Sequence, residues 1–350
     1  MVDEWGGGAA ADDGAESPHA TVHAAGAVPA GFWIFGETNA APEGWAATGA
    51  RLTLPQAAPA WQPAAPLPDA GPGQVRCVVV NEAVFAFRDG TRDVLRYDPL
   101  AGHWRVEAHL PEAWTAFAAA ALDGRIHLVG GRDGRGRMVR WHRAWDPATG
   151  RWETCAPLDS GRCEMGAASL HGVLYVTGGV RALLSRTTDA VDAYDPRANA
   201  WTGCRRMGHA RARPAVAASA GRLFVVGGRQ PGLGAGRASP AAESYDPARG
   251  QWKELDDVPT PRRDAALAEL DGTLYLVGGD VGTGATGLTH AWVPREGWTK
   301  GPELREPRSR LGLAAVSGRL LAVGGATGDG AAGTVEECRL FFDLHGFRKE

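Results

Sequence analysis

The sequence predicts an all-β fold, a propeller of seven four-stranded blades with six as the alternative count, on three observations. A tryptophan stands 26 residues ahead of a Gly-Gly pair five times over: Trp104 to Gly130, Trp152 to Gly178, Trp201 to Gly227, Trp252 to Gly278 and Trp298 to Gly324. Seven residues before four of these tryptophans comes an aromatic residue followed by Asp-Pro, at Tyr97, Trp145, Tyr194 and Tyr245. Apolar runs are short and close on glycine, while capped stretches of helical period are hard to find. A unit recurring at about 50 residues that buries its faces only against its neighbours is a propeller blade.

Each unit reads as four strands in order. Small residues such as Ala167-Ala168-Ser169-Leu170 and Ala215-Val216-Ala217-Ala218 form strand a, where the narrow centre of a radial fold demands small side chains. A turn (His171-Gly172, Ala220-Gly221, Asp271-Gly272, Ser317-Gly318) leads to strand b, expected at about 174–177, 223–226, 274–277 and 320–323. The Gly pair that ends strand b permits positive φ and close backbone approach. Strand c ends at Tyr-Asp-Pro, where proline stops the pairing, and strand d begins at the tryptophan. Trp201 and Trp252 are expected to lie largely buried between blades.

Five units are plain, and two more come from weaker matches. Val79–Phe87 has the strand pattern, and Trp61 plus 26 lands on Phe87, so this unit lacks its Gly pair. Upstream, 31–37 resembles strand b and 51–54 strand c, with Leu54 seven before Trp61. Counting both gives seven. Closure requires a strand from one terminus to join a blade begun at the other, because a ring left open exposes two edges. Trp5 is placed to lend that strand, and Phe347–Glu350 offers at most a stub. The division expected is residues 1–18 as N-terminal tail or ring-closing strand and 19–350 as propeller.

A net charge of −3 from 37 basic and 40 acidic residues, with no like-charge run reaching five, argues against nucleic acid and membrane surfaces as partners. No apolar stretch approaches 18 residues, and Met1–Gly6 lacks the basic-then-apolar order of a signal peptide. Five cysteines, odd in number and without a CxxC pair, fit a reduced cytoplasmic setting and make a zinc site improbable.

The Gly-Gly, Tyr-Asp-Pro and tryptophan just described resemble the signature of kelch repeats over roughly residues 74–343. The whole is similar to the kelch domain of BTB-kelch and other kelch-domain substrate receptors, although no BTB, BACK or F-box-like segment is present. Some propellers of this resemblance are enzymes. Galactose-oxidase-like copper chemistry would need a spare tyrosine, yet Tyr97, Tyr175, Tyr194, Tyr245 and Tyr275 all occupy repeat positions. The Glu-x3-Asp-x3-His iron motif of the plant specifier proteins does not occur. Sialic-acid-mutarotase relatives are secreted, and this chain shows no signal. The ten histidines form no HxH or HxxxE constellation beyond His19/His23 and read as solvated or turn residues. Gly232–Gly236 resembles a phosphate loop only in composition, since no helix follows. No cofactor, no metal and no enzymatic activity are expected.

In a propeller, the loops from strand d to the next strand a gather at the same mouth as the loops between strands b and c, a concave and variable surface. Ten residues past the repeat tryptophans stand Trp114, Arg162, Arg211, Arg262 and Arg308. The four arginines read as frame, bonding loop carbonyls with stems packed between blades, and Trp114 is counted with the mouth. Two residues further on, register is fixed while identity varies: Ala116, Glu164, Arg213, Asp264 and Arg310. The resemblance implies that arginines at these positions contact acidic peptides in BTB-kelch domains. Arg213 and Arg310 match by count, whereas Glu164 and Asp264 depart and favour a mixed-charge ligand. Arg132, Arg181, Arg229 and Asp280 add a variable rim. The reading is a protein-recognition module that binds a protein or peptide of mixed or acidic charge, as a ubiquitin-ligase substrate adaptor reaching a cullin ligase through a region absent from this sequence. A cytoskeletal or scaffold binder using blade flanks is the alternative, and a propeller enzyme the remote one.

Overall fold

The computed structural model describes residues 59–340 except 70, 72, 99–100, 182–185, 233–235, 329 and 332, together with the backbone of three short strands before residue 59. Residues 59–340 form one compact unit, an all-β propeller of six blades. Each blade is an antiparallel sheet whose strands lie in the order a-b-c-d. Blade 1 comprises Val75–Val80, Ala83–Arg88, Asp93–Asp98 and His103–His109; blade 2, Ala118–Leu122, Arg125–Val129, His142–Asp146 and Arg151–Thr154. Blade 3 comprises Gly166–Leu170, Val173–Thr177, Val191–Asp195 and Ala200–Gly203; blade 4, Ala215–Ser219, Arg222–Val226, Ala242–Asp246 and Gln251–Glu254. Blade 5 comprises Ala266–Leu270, Thr273–Val277, Thr289–Val293 and Gly297–Lys300. Blade 6 takes strands a to c from Gly312–Val316, Arg319–Val323 and Val335–Arg339, and its outer strand from Trp61–Ala64.

That last pairing decides the count in favour of six. Trp61 opposes Cys338 and Ala64 opposes Val335, so the strand that would complete a seventh blade instead covers the open edge of the sixth. The upstream segments expected as strands b and c do form strands, Trp33–Phe35 and Ala50–Arg51, in a separate unit where His23–Ala24 is the third. Trp5, the boundary at residue 18, His19 and Phe347–Glu350 lie outside the described residues.

The repeat signature has a mechanical cause at each residue. The aromatic residue before Asp-Pro stands opposite the tryptophan across strands c and d, as Tyr194 opposes Trp201 and Tyr245 opposes Trp252, with ring centroids 5.2 and 4.9 Å apart. The aspartate closes the c–d turn, Asp195 Oδ1 accepting from Arg197 N at 2.8 Å and Asp246 Oδ1 from Ala248 N at 3.1 Å. The tryptophan then reaches the preceding blade. Trp201 Nε1 donates to Ala156 O at 2.8 Å, Trp252 to Arg205 O at 2.8 Å and Trp298 to Asp256 O at 2.9 Å. Trp61 to Pro302 O (3.0 Å) and Trp104 to Ala65 O (3.1 Å) repeat this bond on both sides of the closing strand. Trp61 and Trp104 are buried, but Trp201 and Trp252 are only half-buried, less than the sequence suggested.

The Gly pair is a contact between blades. Gly228 N donates to Arg262 O of the next blade at 3.0 Å, while Gly227 has φ +62° and a Cβ there would sit 2.6 Å from the same carbonyl oxygen. Gly227→Ala should therefore cost about 1–3 kcal/mol, combining left-handed strain with the displaced carbonyl. An unchanged denaturant midpoint for this variant would refute the contact. Among the described residues no helix is long and apolar enough to cross a membrane, and the five cysteines are free.

Candidate functional site

The d–a loop of each blade pairs with that blade's own b–c loop, which brings both sets to one mouth. Arg132 stands opposite Thr115, and Arg181 opposite Arg162. Ala212 bridges to Arg229, Arg263 to Asp280 and Ser309 to Ala326. At the inner end of these loops the fixed-register residues Ala116, Glu164, Arg213, Asp264 and Arg310 share one left-handed conformation, with φ of 52, 56, 51, 56 and 57°. Their backbones join successive blades: Glu164 N to Ala116 O (2.9 Å), Arg213 N to Glu164 O (2.8 Å), Arg310 N to Asp264 O (2.8 Å) and Val75 N to Arg310 O (2.9 Å). A non-glycine residue held at positive φ is strained, and here the strain recurs where neighbouring blades meet around the axis.

The frame beneath is built of buried charge. Arg162, Arg211, Arg262 and Arg308 are all 2 % exposed or less. Arg211 Nη1 donates to Ala241 O at 2.7 Å and Gly227 O at 3.3 Å, and its Nη2 pairs with buried Glu243. Arg308 does the same with Thr334 O, Gly324 O and Glu336. Arg162 pairs with Asp192 at 2.5 Å. In Arg262 the carboxylate is replaced by His290 Nδ1, 2.5 Å away, and without a counter-charge burial lowers the guanidinium to about 10. Trp114 belongs with these residues and not with the mouth. It is 1 % exposed, and its Nε1 donates to Gly130 O, the carbonyl that matches Gly227 O. Where Trp114 replaces the arginine, Arg143 replaces the acid and turns to Glu112 instead, at 2.9 Å.

A cavity of about 550 Å³ opens at the mouth across blades 4 to 6, and it gathers Arg213, Arg229, Asp264, Asp280 and Arg310. Glu164 joins through its two oxygens, accepting from Arg213 Nη2 at 2.8 Å and Arg229 Nη2 at 3.0 Å. Arg213 Nη1 also donates to Asp264 Oδ1 at 2.9 Å, so its guanidinium ties blades 3, 4 and 5 together. Burial alone would raise the Glu164 carboxyl, but Arg213 and Arg229 overturn that effect and hold it below the usual range. Arg132 and Arg181 stand on the same rim on blades 2 and 3, outside the cavity lining. Arg263, which the repeat pattern did not single out, pairs with Asp280 at 2.9 Å and lines the cavity with Ser309. Its only sequence signal is its place directly after frame arginine Arg262.

Arg310 differs from Arg213. It is exposed and forms no ion pair among the described residues. Two arginines that the sequence places in equivalent positions thus do different work: Arg213 is already held by two carboxylates, and Arg310 is open to a ligand. The histidines also depart from expectation. His127 and His142, read as solvated or turn residues, are buried and meet Cys155. Burial lowers His127 to about 4, and burial followed by the charge of His127 lowers His142 to about 3.

The kelch-motif family profile matches residues 113–158, 161–208 and 210–259, three consecutive units of the ring. No curated protein matches the sequence. The solved structure of YjhT aligns with a TM-score of 0.68 at 17 % identity, covering 78 % of this chain and 95 % of that one. At that identity the likeness is one of fold.

Proposed function

This chain is a kelch-repeat β-propeller of six blades, and we propose that it is a protein-recognition module whose loop mouth takes a carboxylate-bearing segment of a partner. The observation that carries this reading is the charge balance at the mouth. Glu164, Asp264 and Asp280 are neutralised by Arg213, Arg229 and Arg263. Arg132, Arg181 and Arg310, on the same rim, form no ion pair among the described residues. The surplus is therefore positive although the chain as a whole carries −3. Guanidinium groups in a concave setting suit carboxylates, which they grip through two parallel hydrogen bonds. The acids that suggested a mixed-charge ligand are consumed in building the mouth, and an acidic segment fits better. The finer reading, a non-enzymatic substrate adaptor for a cullin-type ubiquitin ligase in a reducing cytoplasmic setting, is supported by family resemblance and by the five free thiols.

Arg310→Ala is the cleanest test, because this side chain forms no ion pair among the described residues. Removing a central contact should weaken partner capture by about 2 kcal/mol, roughly 30-fold, and leave the melting temperature nearly unchanged. Arg213→Ala should weaken capture too, but at a cost in stability, because it removes the ion-pair partner of Asp264 and leaves Glu164 with Arg229 alone. Binding should also weaken as salt is raised. If Arg310→Glu combined with Arg132→Glu captures the same partners as wild type in a quantitative pull-down, the mouth is not the site. A flank-binding scaffold protein is then the better account.

A further inference from the structure

Among the described residues, blade 2 alone contains a cluster of potential metal ligands. His127 on strand b and His142 at the start of strand c are diagonal neighbours on one face of the sheet, since Val129 opposes His142. Cys155 follows strand d, its N–H bonded to His142 O at 3.0 Å. The three potential ligand atoms lie within 4.8 Å of one another, and the residues are 4, 0 and 8 % exposed.

The repeat supplies its own control. At the position of His127 the other blades carry Phe85, Tyr175, Phe224, Tyr275 and Leu321. At the position of His142 they carry Val94, Val191, Ala242, Thr289 and Val335. Packing at these two places needs no histidine, and placing two imidazoles there costs desolvation that an apolar pair avoids. The hydrogen bonds then fix which nitrogens carry protons. A carbonyl can only accept, so the 3.2 Å contact of His142 Nδ1 with Ala156 O makes that nitrogen the N–H. His142 Nε2 is left with its lone pair facing His127 Nδ1 at 2.9 Å. Ala156 is held in turn, its oxygen accepting from Trp201 Nε1 and its N–H donating to Asn199 Oδ1 at 2.8 Å. A histidine whose far nitrogen is anchored on a backbone carbonyl is oriented as metal-binding histidines are.

From this geometry we propose that His127 Nδ1, His142 Nε2 and Cys155 Sγ form a binding site for a borderline-soft divalent ion of the zinc type. Two imidazoles and a thiolate suit that class better than magnesium or calcium, which want oxygen. Tetrahedral bonds of about 2.0–2.1 Å put ligand nitrogens roughly 3.3 Å apart, so the imidazoles need to separate by only a few tenths of an ångström. Binding releases the Cys155 thiol proton, and His127 transfers its Nδ1 proton to Nε2. A cavity of about 380 Å³, lined by His127, Cys155, Glu153, Arg125 and Tyr194 among others, adjoins the cluster. It provides a path for the ion and a water for the fourth position, the open arrangement of a three-ligand site.

The test is a titration of the full chain, stripped with chelator and checked for fold, with Co²⁺ as the spectroscopic stand-in for Zn²⁺. One equivalent should bind with visible ligand-field bands and a near-ultraviolet thiolate charge-transfer band, and Zn²⁺ should displace it. Cys155→Ser should abolish the charge-transfer band and weaken binding roughly tenfold or more. Cys204→Ser, at the same repeat position in blade 3 but without the histidines, should change neither. A wild type with no charge-transfer band, or a band that survives in Cys155→Ser, overturns the proposal. Because the cluster is buried and a variant there can misfold, wild type carries a second readout. Zn²⁺ should slow alkylation of Cys155 relative to Cys204 in mass mapping, and equal rates with and without the ion also overturn the site.

Discussion

Arg211→Ala should destabilise the propeller by about 3–5 kcal/mol, the expected cost of leaving one member of a buried ion pair alone. Arg211 is 0 % exposed and Glu243 1 %. The guanidinium closes four contacts at once, to Glu243, to Ala241 O, to Gly227 O and to His209 O, and the Arg211 carbonyl receives Gly179 N of the preceding blade at 2.8 Å. Truncation leaves the buried Glu243 without its counter-charge and Gly227 O without this donor, while Ala241 O keeps Gly227 N at 3.0 Å. Glu243 keeps Gly208 N at 2.7 Å and, farther off, His209 Nδ1 at 3.8 Å. Arg211→Met combined with Glu243→Leu should recover most of the loss, because removing both charges also removes the unpaired one. Chemical denaturation of the single and double variants distinguishes the cases. A single variant within about 1 kcal/mol of wild type would show that the pair contributes little to the frame.

Trp61→Ala should cost a similar amount, about 3–5 kcal/mol, by opening the ring. Trp61 is 2 % exposed, packs with Tyr275, Leu304, Leu320 and Cys338, and donates to Pro302 O of blade 5. Its strand is the outer strand of blade 6, joined to Val335–Arg339. Trp201→Ala removes the same kind of bond from a half-buried tryptophan and should cost visibly less. The ranking is the check. Equal losses at Trp61 and Trp201 in denaturant melts would mean that the closing strand bears no more than any other outer strand. Amide exchange in strand c of blade 6 should rise in Trp61→Ala before it rises in blade 3, since an uncovered edge opens locally.

The fold was largely legible because its signals are local and repeated. The Gly pair, the Asp-Pro turn and the tryptophan each act within one unit or between adjacent units, so five copies of the pattern give strand order and register. The count of six was not legible in the same way. Leu54 stands seven before Trp61 as in an intact unit, and nothing within a few residues of Trp61 reveals that its partner is Cys338, 277 positions away. An uncovered edge selects its partner by where the ring ends.

The same division runs through the site. Fixed register at Glu164, Arg213, Asp264 and Arg310 was a property of the repeat, and so was the frame of Arg162, Arg211, Arg262 and Arg308. Which of these charges are already paired depends on which blades stand side by side: Arg213 pairs with the acids of both neighbouring blades, and Arg310 pairs with none among the described residues. Trp114 occupies an arginine's position, and only its burial and its bond to Gly130 O reveal that it serves the frame. His127, His142 and Cys155 are 15 and 13 residues apart, a spacing that matches no short metal motif, and they meet because three adjacent strands of blade 2 carry them to one face. By itself the sequence determined the repeat, the strand order and the register positions, since these arise from backbone geometry that each unit enforces alone. Only the tertiary structure decided the closure, the pairing of charges and the histidine–cysteine cluster, because each depends on distances between segments that local pairing does not fix.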